Sequence, residues 1–311
     1  MNRTPLLADT PAALHWLRQQ VRGTLRVDSR SIQPGDGFIA WPGAATDGRR
    51  FVGDALARGA AACLVEDLGS ESFDLPAQGV ALLRDLKRAC GPLASAWHGE
   101  PSQGLDVLAV TGTNGKTSTA WWLAQALNAH GGSGSCGLVG TLGMGLPQRS
   151  GQTAGQAAGQ TAGQAPAQVL ADTGMTTPDP MRLQQHFAEL VRQGASACAI
   201  EASSIGLAER RLDGTRIRTA IFTNFTQDHL DYHGSMQAYW QAKAELFAWP
   251  GLRTAVVNVD DPQGALLAQD AAARGLEVWT CSQHQAARVQ AVDLEMGTQG
   301  LSFTVQEGGL Q

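Results

Sequence analysis

The stretch "VTGTNGKTSTAWW", residues 110–122, decides how the chain is read. Gly115, Lys116 and Thr117 form the ending of a phosphate-binding loop, but the usual earlier glycine, five places before Gly115, is replaced by Val110. Gly112 takes its role, so the loop is two residues short. The apolar run "DVLAV" before it reads as a strand over 106–110, and Thr117 to about His130 reads as a helix stopped by Gly131-Gly132. In that arrangement Gly112, Thr113, Asn114 and Gly115 bring backbone N–H groups to an anion, Lys116 adds a positive charge, and the Thr117 hydroxyl can hold Mg²⁺. Ser118 completes the first helical turn. The plainer reading is a glycine-rich turn with a surface lysine.

Working outward, short apolar runs alternate with helical patterns from Leu105 onward, which predicts βαβ units and a mostly parallel sheet. Three more runs end in polar residues. "ACAI" leads to Glu201, "TAIFTN" to "FTQDHLDYHG", and "TAVVNV" to Asp260-Asp261. Ligands of open α/β sheets bind beyond the carboxyl ends of the strands, so neighbouring placement of these four runs would gather their polar followers in one crevice. Residues 1–100 mix short helical and strand patterns as a separate domain, and "HGEPSQG", 98–104, reads as a linker. The repetitive "SGQTAGQAAGQTAGQAPAQ", 150–168, has nothing large to bury and reads as a flexible insertion in the second domain, 101–311.

The chain has 311 residues, 43% of them hydrophobic and 16% charged, enough for two cores. A net charge of -5 argues against a nucleic-acid binder, and no apolar run reaches membrane-spanning length. Cys63, Cys90, Cys136, Cys198 and Cys281 lack metal-type spacing and fit thiols of a cytoplasmic protein.

Three side chains stand out. Glu201 directly follows an apolar run, where a buried carboxylate needs a cation or metal; a solvated strand end is the alternative. His229 lies between Asp228 and Asp231, carboxylates that could orient a ligating imidazole. Lys243 shares a helical stripe with Met236, Tyr239, Trp240, Leu246 and Phe247. Its stem could pack while the ammonium reaches water, or the amine could take up carbon dioxide and become a carbamate, an anionic metal ligand. "MTTPDP", 175–180, reads as a turn into a helix with Asp179 at the N-cap and Pro180 at N1. Arg210 and Arg211 could clamp a carboxylate.

Together these motifs resemble the Mur ligase family, and within it the MurE type. "DSR" at 28–30, "DG" at 47–48, "TGTNGKT" at 111–117, "TTP" at 176–178, "E-x-S-S" at 201–204, "TNxTxDHLDYHG" at 223–234 and "AYxxAKxxLF" at 238–247 occur in family order. The resemblance implies a small N-terminal α/β domain binding UDP and a mostly parallel P-loop-type ATPase domain. It also implies a third, C-terminal domain, expected to be missing from this chain, with the central one incomplete. It implies ATP and Mg²⁺ as cofactors and a UDP-N-acetylmuramoyl-dipeptide and an amino acid as substrates, handled by a monomer. By position, Thr117 and Glu201 would hold one Mg²⁺. His229 and carbamylated Lys243 would serve a second, with Lys116 countering phosphate charge. Val27 and Ser29 would touch uridine, and Gly43, Ala44, Ala45 and Thr46 the diphosphate. Thr176, Thr177, Ser203 and Arg211 would hold the muramoyl-dipeptide. Ile205 and Glu209 depart from the family's usual histidine and glutamine.

The implied reaction is an ATP-dependent ligation in peptidoglycan precursor synthesis. ATP phosphorylates the D-glutamate γ-carboxylate, an amine attacks the acyl phosphate, and phosphate leaves. meso-Diaminopimelate is the expected amine, with L-lysine the alternative, and folylpolyglutamate synthase is a second family with comparable chemistry. This 311-residue chain is expected to bind without ligating.

Overall fold

The computed structural model describes residues 4–43, 46–130, 134–147, 170–171, 174–298 and 300–308. The Gly-Gln repeat at 150–168, together with Ala44 and Ala45, lies outside them. The chain divides into two compact units. One takes 1–102, 178–189 and 210–215; the other takes the remainder. The first unit thus borrows two short segments from the later sequence, which no reading of a contiguous boundary near residue 100 anticipates. The expected linker is also not loose: Pro101–Gly104 forms a 3-10 turn with Pro101 and Ser102 buried.

In the first unit, helix α1 (Thr10–Gln20) precedes strands β1 (Leu25–Arg26) and β2 (Gly37–Ala40). Helix α2 (Val52–Ala57), strands β3 (Ala62–Glu66) and β4 (Val80–Leu83), and helix α3 (Leu86–Trp97) follow. The strands form a parallel sheet in the order β1-β2-β3-β4. Side chains alternate across it with the period of two that a pleated strand imposes. Ile39 and Leu64 pack with Leu17, Leu86 and Leu93 on one face, while Phe38, Cys63 and Val65 pack with Val52 and Ala55 on the other. Both faces are therefore covered, as parallel sheets require, and each fully buried aliphatic side chain contributes about 1.5–3 kcal/mol.

The second unit begins with β5 (Asp106–Thr111), α4 (Lys116–Ala129), β6 (Ser135–Gly140) and β7 (Gly143–Gly145). Helix α5 (Pro180–Arg192) starts in the first unit, and Asp179 caps it by accepting from the Met181 and Arg182 N–H groups. Then come β8 (Ala195–Glu201), α6 (Ser204–Ala208), β9 (Ile217–Phe222), α7 (Leu230–His233) and α8 (Met236–Ala244). Strand β10 (Thr254–Asn258), helix α9 (Pro262–Ala273), and strands β11 (Glu277–Ser282), β12 (Val289–Gly297) and β13 (Gly300–Glu307) complete it. Among the described residues the sheet order is β13-β12-β11-β10-β9-β5-β8-β6-β7, parallel except for the β12–β13 and β6–β7 pairs.

The four apolar runs singled out in the sequence are β10, β9, β5 and β8, and they are consecutive in this sheet. Their ends are flush. Val110 pairs with Glu201, Thr111 with Phe222, and Phe222 with Val257. The chain leaves β5 for β6, returns to β8, then crosses to β9 on the other side of β5. That reversal is the switch point at which open α/β sheets leave a crevice beyond the strand ends.

Candidate active site

The phosphate loop fills the switch point. Gly112 has φ +147 and Gly115 φ +83, conformations that disfavour side chains. A Cβ on Gly112 would also fall 1.9 Å from Thr223 Oγ1. The loop is pinned to the start of the segment after β9. Thr113 N–H donates to Asn224 O at 2.8 Å, Asn114 N–H to Asn224 Oδ1 at 2.9 Å, and Thr223 Oγ1 to Asn114 O at 2.6 Å. Asn258, at the end of β10, donates to Thr223 O at 2.8 Å and so braces that segment from the next strand. Exposed Asn114 and Gly115 lead into the amino end of α4, whose fourteen residues direct a positive dipole end at the loop.

Lys116 Nζ donates to the carbonyls of Gly112 and Thr113, at 2.9 and 2.8 Å. Burial lowers its pKa, with the charges of Glu201 and Asp228 opposing. Thr117 Oγ1 donates to Glu201 Oε2 at 2.8 Å. Glu201 is 1% exposed, and its Oε1 accepts the Thr141 N–H at 2.7 Å. A Cβ on Gly140 would lie 2.1 Å from Oε1, so glycine there makes room for the carboxylate.

Lys243 is 1% exposed, so its ammonium does not reach water. Ser235 caps α8, and one helical turn separates Tyr239 from Lys243, which places both on the buried face. Lys243 Nζ donates to Gly112 O at 2.7 Å and lies 4.4 Å from the Tyr239 ring centre. Two lysines thus converge on one carbonyl. Burial first, then the charge of Lys116, lowers the Lys243 amine to about 7, against the opposing charge of Asp228.

Tyr239 is fully buried. Its hydroxyl meets Thr113 Oγ1 at 3.2 Å, and its ring packs near His229 and His233, with centres 6.1 and 5.1 Å away. His229 is half-exposed at a left-handed position, φ +49, and its Nε2 lies 3.5 Å from Asp228 Oδ2. His233 Nε2 meets Ser204 Oγ at 3.0 Å. Among the described residues no three His, Cys, Asp or Glu side chains form a metal cluster. Mg²⁺ normally takes one or two carboxylates with phosphate and water, so the hard oxygen pair of Thr117 and Glu201 fits it.

A family model described as Mur ligase middle domain matches residues 110–311, and one described as Mur ligase family, catalytic domain, matches residues 24–98. The chain belongs to the Mur ligase family. Similar proteins include the UDP-N-acetylmuramoyl-L-alanyl-D-glutamate--2,6-diaminopimelate ligase of Acidovorax sp. (strain JS42), 59% identical over 313 residues, covering 99% of this chain and 58% of that protein. The ligase of the same name from Janthinobacterium sp. (strain Marseille) is 39% identical over 94% of this chain and 56% of its own length. A solved structure named for the same ligase has a TM-score of 0.69 at 29% identity, covering 92% of this chain and 53% of that one. MurF from Acinetobacter baumannii shares the fold, with a TM-score of 0.59 at 20% identity over 99% of this chain and 61% of that one. This Mur ligase chain spans a little over half the length of these relatives.

The second unit of the Mur ligase chain brings together Gly112 to Thr117, Glu201, His229 and Lys243, with exposed Ser118 on the same first turn of α4. Thr176 stands beside Thr141, with their hydroxyls 3.2 Å apart. Thr177 is buried and works as a clamp: it donates to Glu201 O at 2.8 Å and accepts from Ser203 N–H at 3.1 Å. Ser203 Oγ caps α6. In the first unit, half-buried Val27 and buried Ser29 follow β1, and Gly43 and Thr46 follow the parallel neighbour β2, with Gly43 N–H donating to Thr46 O at 3.0 Å. Arg211 also belongs to the first unit, near the charge of Asp179.

Sequence reasoning missed Thr141, Asn224, Asn258 and the hydroxyl of Tyr239. Thr141 carried a readable signal, since it too directly follows an apolar run, "CGLVG". The Tyr239 hydroxyl carried none, because helical spacing marks only its ring as buried. Glu209, where the family's glutamine was expected, accepts from the Tyr232 hydroxyl at 2.5 Å.

Proposed function

We propose that this chain binds Mg·ATP at the loop 112–118. Within its full protein, it would activate the D-glutamate γ-carboxylate of UDP-N-acetylmuramoyl-L-alanyl-D-glutamate for attack by 2,6-diaminopimelate. The observation that carries this reading is the Thr117–Glu201 pair beside a glycine loop at a sheet switch point. The names of the similar proteins supply the substrate and the amine.

A carboxylate does not accept an amine at neutral pH. Transfer of the ATP γ-phosphoryl gives an acyl phosphate; the amine nitrogen then bonds to the carbonyl carbon, loses a proton, and phosphate leaves. Phosphoryl transfer needs positioning and charge neutralisation. Lys116 would turn from its own loop carbonyls to the phosphates, and Thr117 and Glu201 would hold Mg²⁺, which neutralises phosphate oxygens when bound. His229 and carbamylated Lys243 would serve the second cation.

Lys243 is proposed to be carbamylated. A neutral amine attacks carbon dioxide and releases one proton, and an amine lowered to about 7 is substantially neutral at physiological pH. The carbamate N–H can keep the Gly112 carbonyl bond, while its negative oxygens turn two repelling lysines into an attracting pair. Val27, Ser29, Gly43–Thr46, Thr176, Ser203 and Arg211 are proposed contacts of the UDP-linked dipeptide.

The test is titration of this chain with ATP with and without Mg²⁺, and ADP and product analysis on the full protein with the UDP-dipeptide and either diaminopimelate or L-lysine. Magnesium-dependent ATP binding is expected. Equal ATP binding in the presence and absence of Mg²⁺ would overturn the reading of Thr117 and Glu201, and turnover with lysine alone would overturn the choice of amine.

A further inference from the structure

Thr141, just after β6, has one hydroxyl proton and two acceptors within reach. Thr176 Oγ1 lies at 3.2 Å and Glu201 Oε2 at 3.4 Å. Its backbone N–H is already committed to Glu201 Oε1 at 2.7 Å. A single hydroxyl proton cannot serve both acceptors at full strength. Glu201 Oε2 also accepts the shorter bond from Thr117, 2.8 Å, so the Thr141 contact is the weaker of the two. Thr141 is exposed and Thr176 half-buried, so both hydroxyls border open space at the strand ends.

A cation held by the Glu201 carboxylate would compete with the longer Thr141 bond for the Oε2 lone pairs. The Thr141 proton would then go to Thr176 Oγ1, the remaining acceptor. While Thr141 donates to Glu201, its own oxygen can accept the Thr176 proton; once Thr141 donates to Thr176, that proton is free to be donated to a bound ligand. We infer that Thr141 is a positioning residue that couples cation binding at Glu201 to the donor orientation of Thr176, and so couples Mg·nucleotide to the UDP-linked dipeptide. This rests on the functional reading above. Coupling of this kind is reciprocal, because the two ligands share one equilibrium.

Calorimetric titration of the 311-residue chain tests it, using UDP-N-acetylmuramoyl-L-alanyl-D-glutamate with and without a saturating non-hydrolysable ATP analogue and Mg²⁺. In the unmodified chain the analogue is expected to tighten dipeptide binding by about fivefold or more, within the usual range of couplings. Thr141→Val keeps the backbone N–H and the side-chain shape, and is expected to reduce the coupling to below about twofold. Thr141→Ser restores the hydroxyl and is expected to restore the coupling. Coupling in Thr141→Val equal to that of the unmodified chain would overturn the inference alone, as would independent binding of both ligands in the unmodified chain. Failure of Mg²⁺ to strengthen analogue binding would overturn the functional reading, and the inference with it.

Discussion

Thr117 Oγ1 donates to Glu201 Oε2 across 2.8 Å, joining the first turn of α4 to the last residue of β8. The bond exists because β5 and β8 end in register, Val110 opposite Glu201, so the helix that follows β5 begins beside the carboxylate that ends β8. Glu201→Gln removes the charge and turns an amide N–H₂ toward donors. Leaving a buried donor unmatched costs about 1–3 kcal/mol. Magnesium-dependent ATP affinity should fall by at least about tenfold, roughly 1.4 kcal/mol, with ATP binding in EDTA little changed. Parallel titrations in Mg²⁺ and EDTA read this, and an equal loss in both would assign Glu201 to fold maintenance alone.

Gly140 sets the position of that carboxylate. A methyl group there would sit 2.1 Å from Glu201 Oε1, and the flexible carboxylate end is the part able to move. Gly140→Ala should therefore resemble Glu201→Gln in its loss of magnesium dependence. Its stability should fall by about 1–3 kcal/mol, the usual range for overpacking. A chain of unchanged magnesium dependence and unchanged stability would show that the space beside Oε1 is not needed.

Lys243 makes stability depend on pH with a definite sign. Its amine is lowered from 10.5 to about 7 by burial and by Lys116. Between those values the unfolded chain binds the extra proton and the folded chain does not, so stability rises with pH, by at most about 1.4 kcal/mol per unit. The penalty is full below about 7 and gone above 10.5. In buffers freed of carbon dioxide, Lys243→Met should be more stable than the unmodified chain at pH 6, and the difference should shrink by pH 9. Denaturant melts at both pH values measure it. A difference that does not change with pH would mean that Lys243 keeps its ordinary pKa.

How far the sequence spoke is clearest from three residues. Glu201 was legible because an acidic residue ending an apolar run breaks the local pattern, and β8 does end on it. Lys243 was only half legible. Its helical stripe showed that the stem is buried, but the ammonium reaches Gly112 O rather than water because of a loop 131 residues earlier in the chain. Tyr239 was legible only as apolar bulk, since its bond to Thr113 spans 126 residues. The parallel sheet itself followed from the alternation of runs and helices. The non-contiguous first unit did not, because segments 178–189 and 210–215 leave no local mark of the unit in which they pack.

In the first unit, Asp36 gives the same pH sign in an acid window, as a stabilising contribution gained rather than a penalty relieved. It is 3% exposed and accepts from Thr24 N–H at 2.8 Å, Gln33 N–H at 3.0 Å and the Arg26 guanidinium. Burial pushes its carboxyl up, but the Arg26 side chain and the two backbone donors outweigh that and hold it below 3.8. A depressed carboxylate adds stability that is complete above 3.8 and is lost as pH falls through the folded value. Asp36→Asn keeps one acceptor, faces another donor with its amide, and should cost about 2–3 kcal/mol at pH 7, the scale of charged hydrogen bonds. The gap between the two proteins should stay constant from pH 7 to pH 5 and narrow below pH 4. Urea melts across that range decide it, because a gap that persists undiminished at pH 3 would mean the loss comes from shape rather than charge, leaving the ion pair with Arg26 no part in holding β1 against the turn before β2.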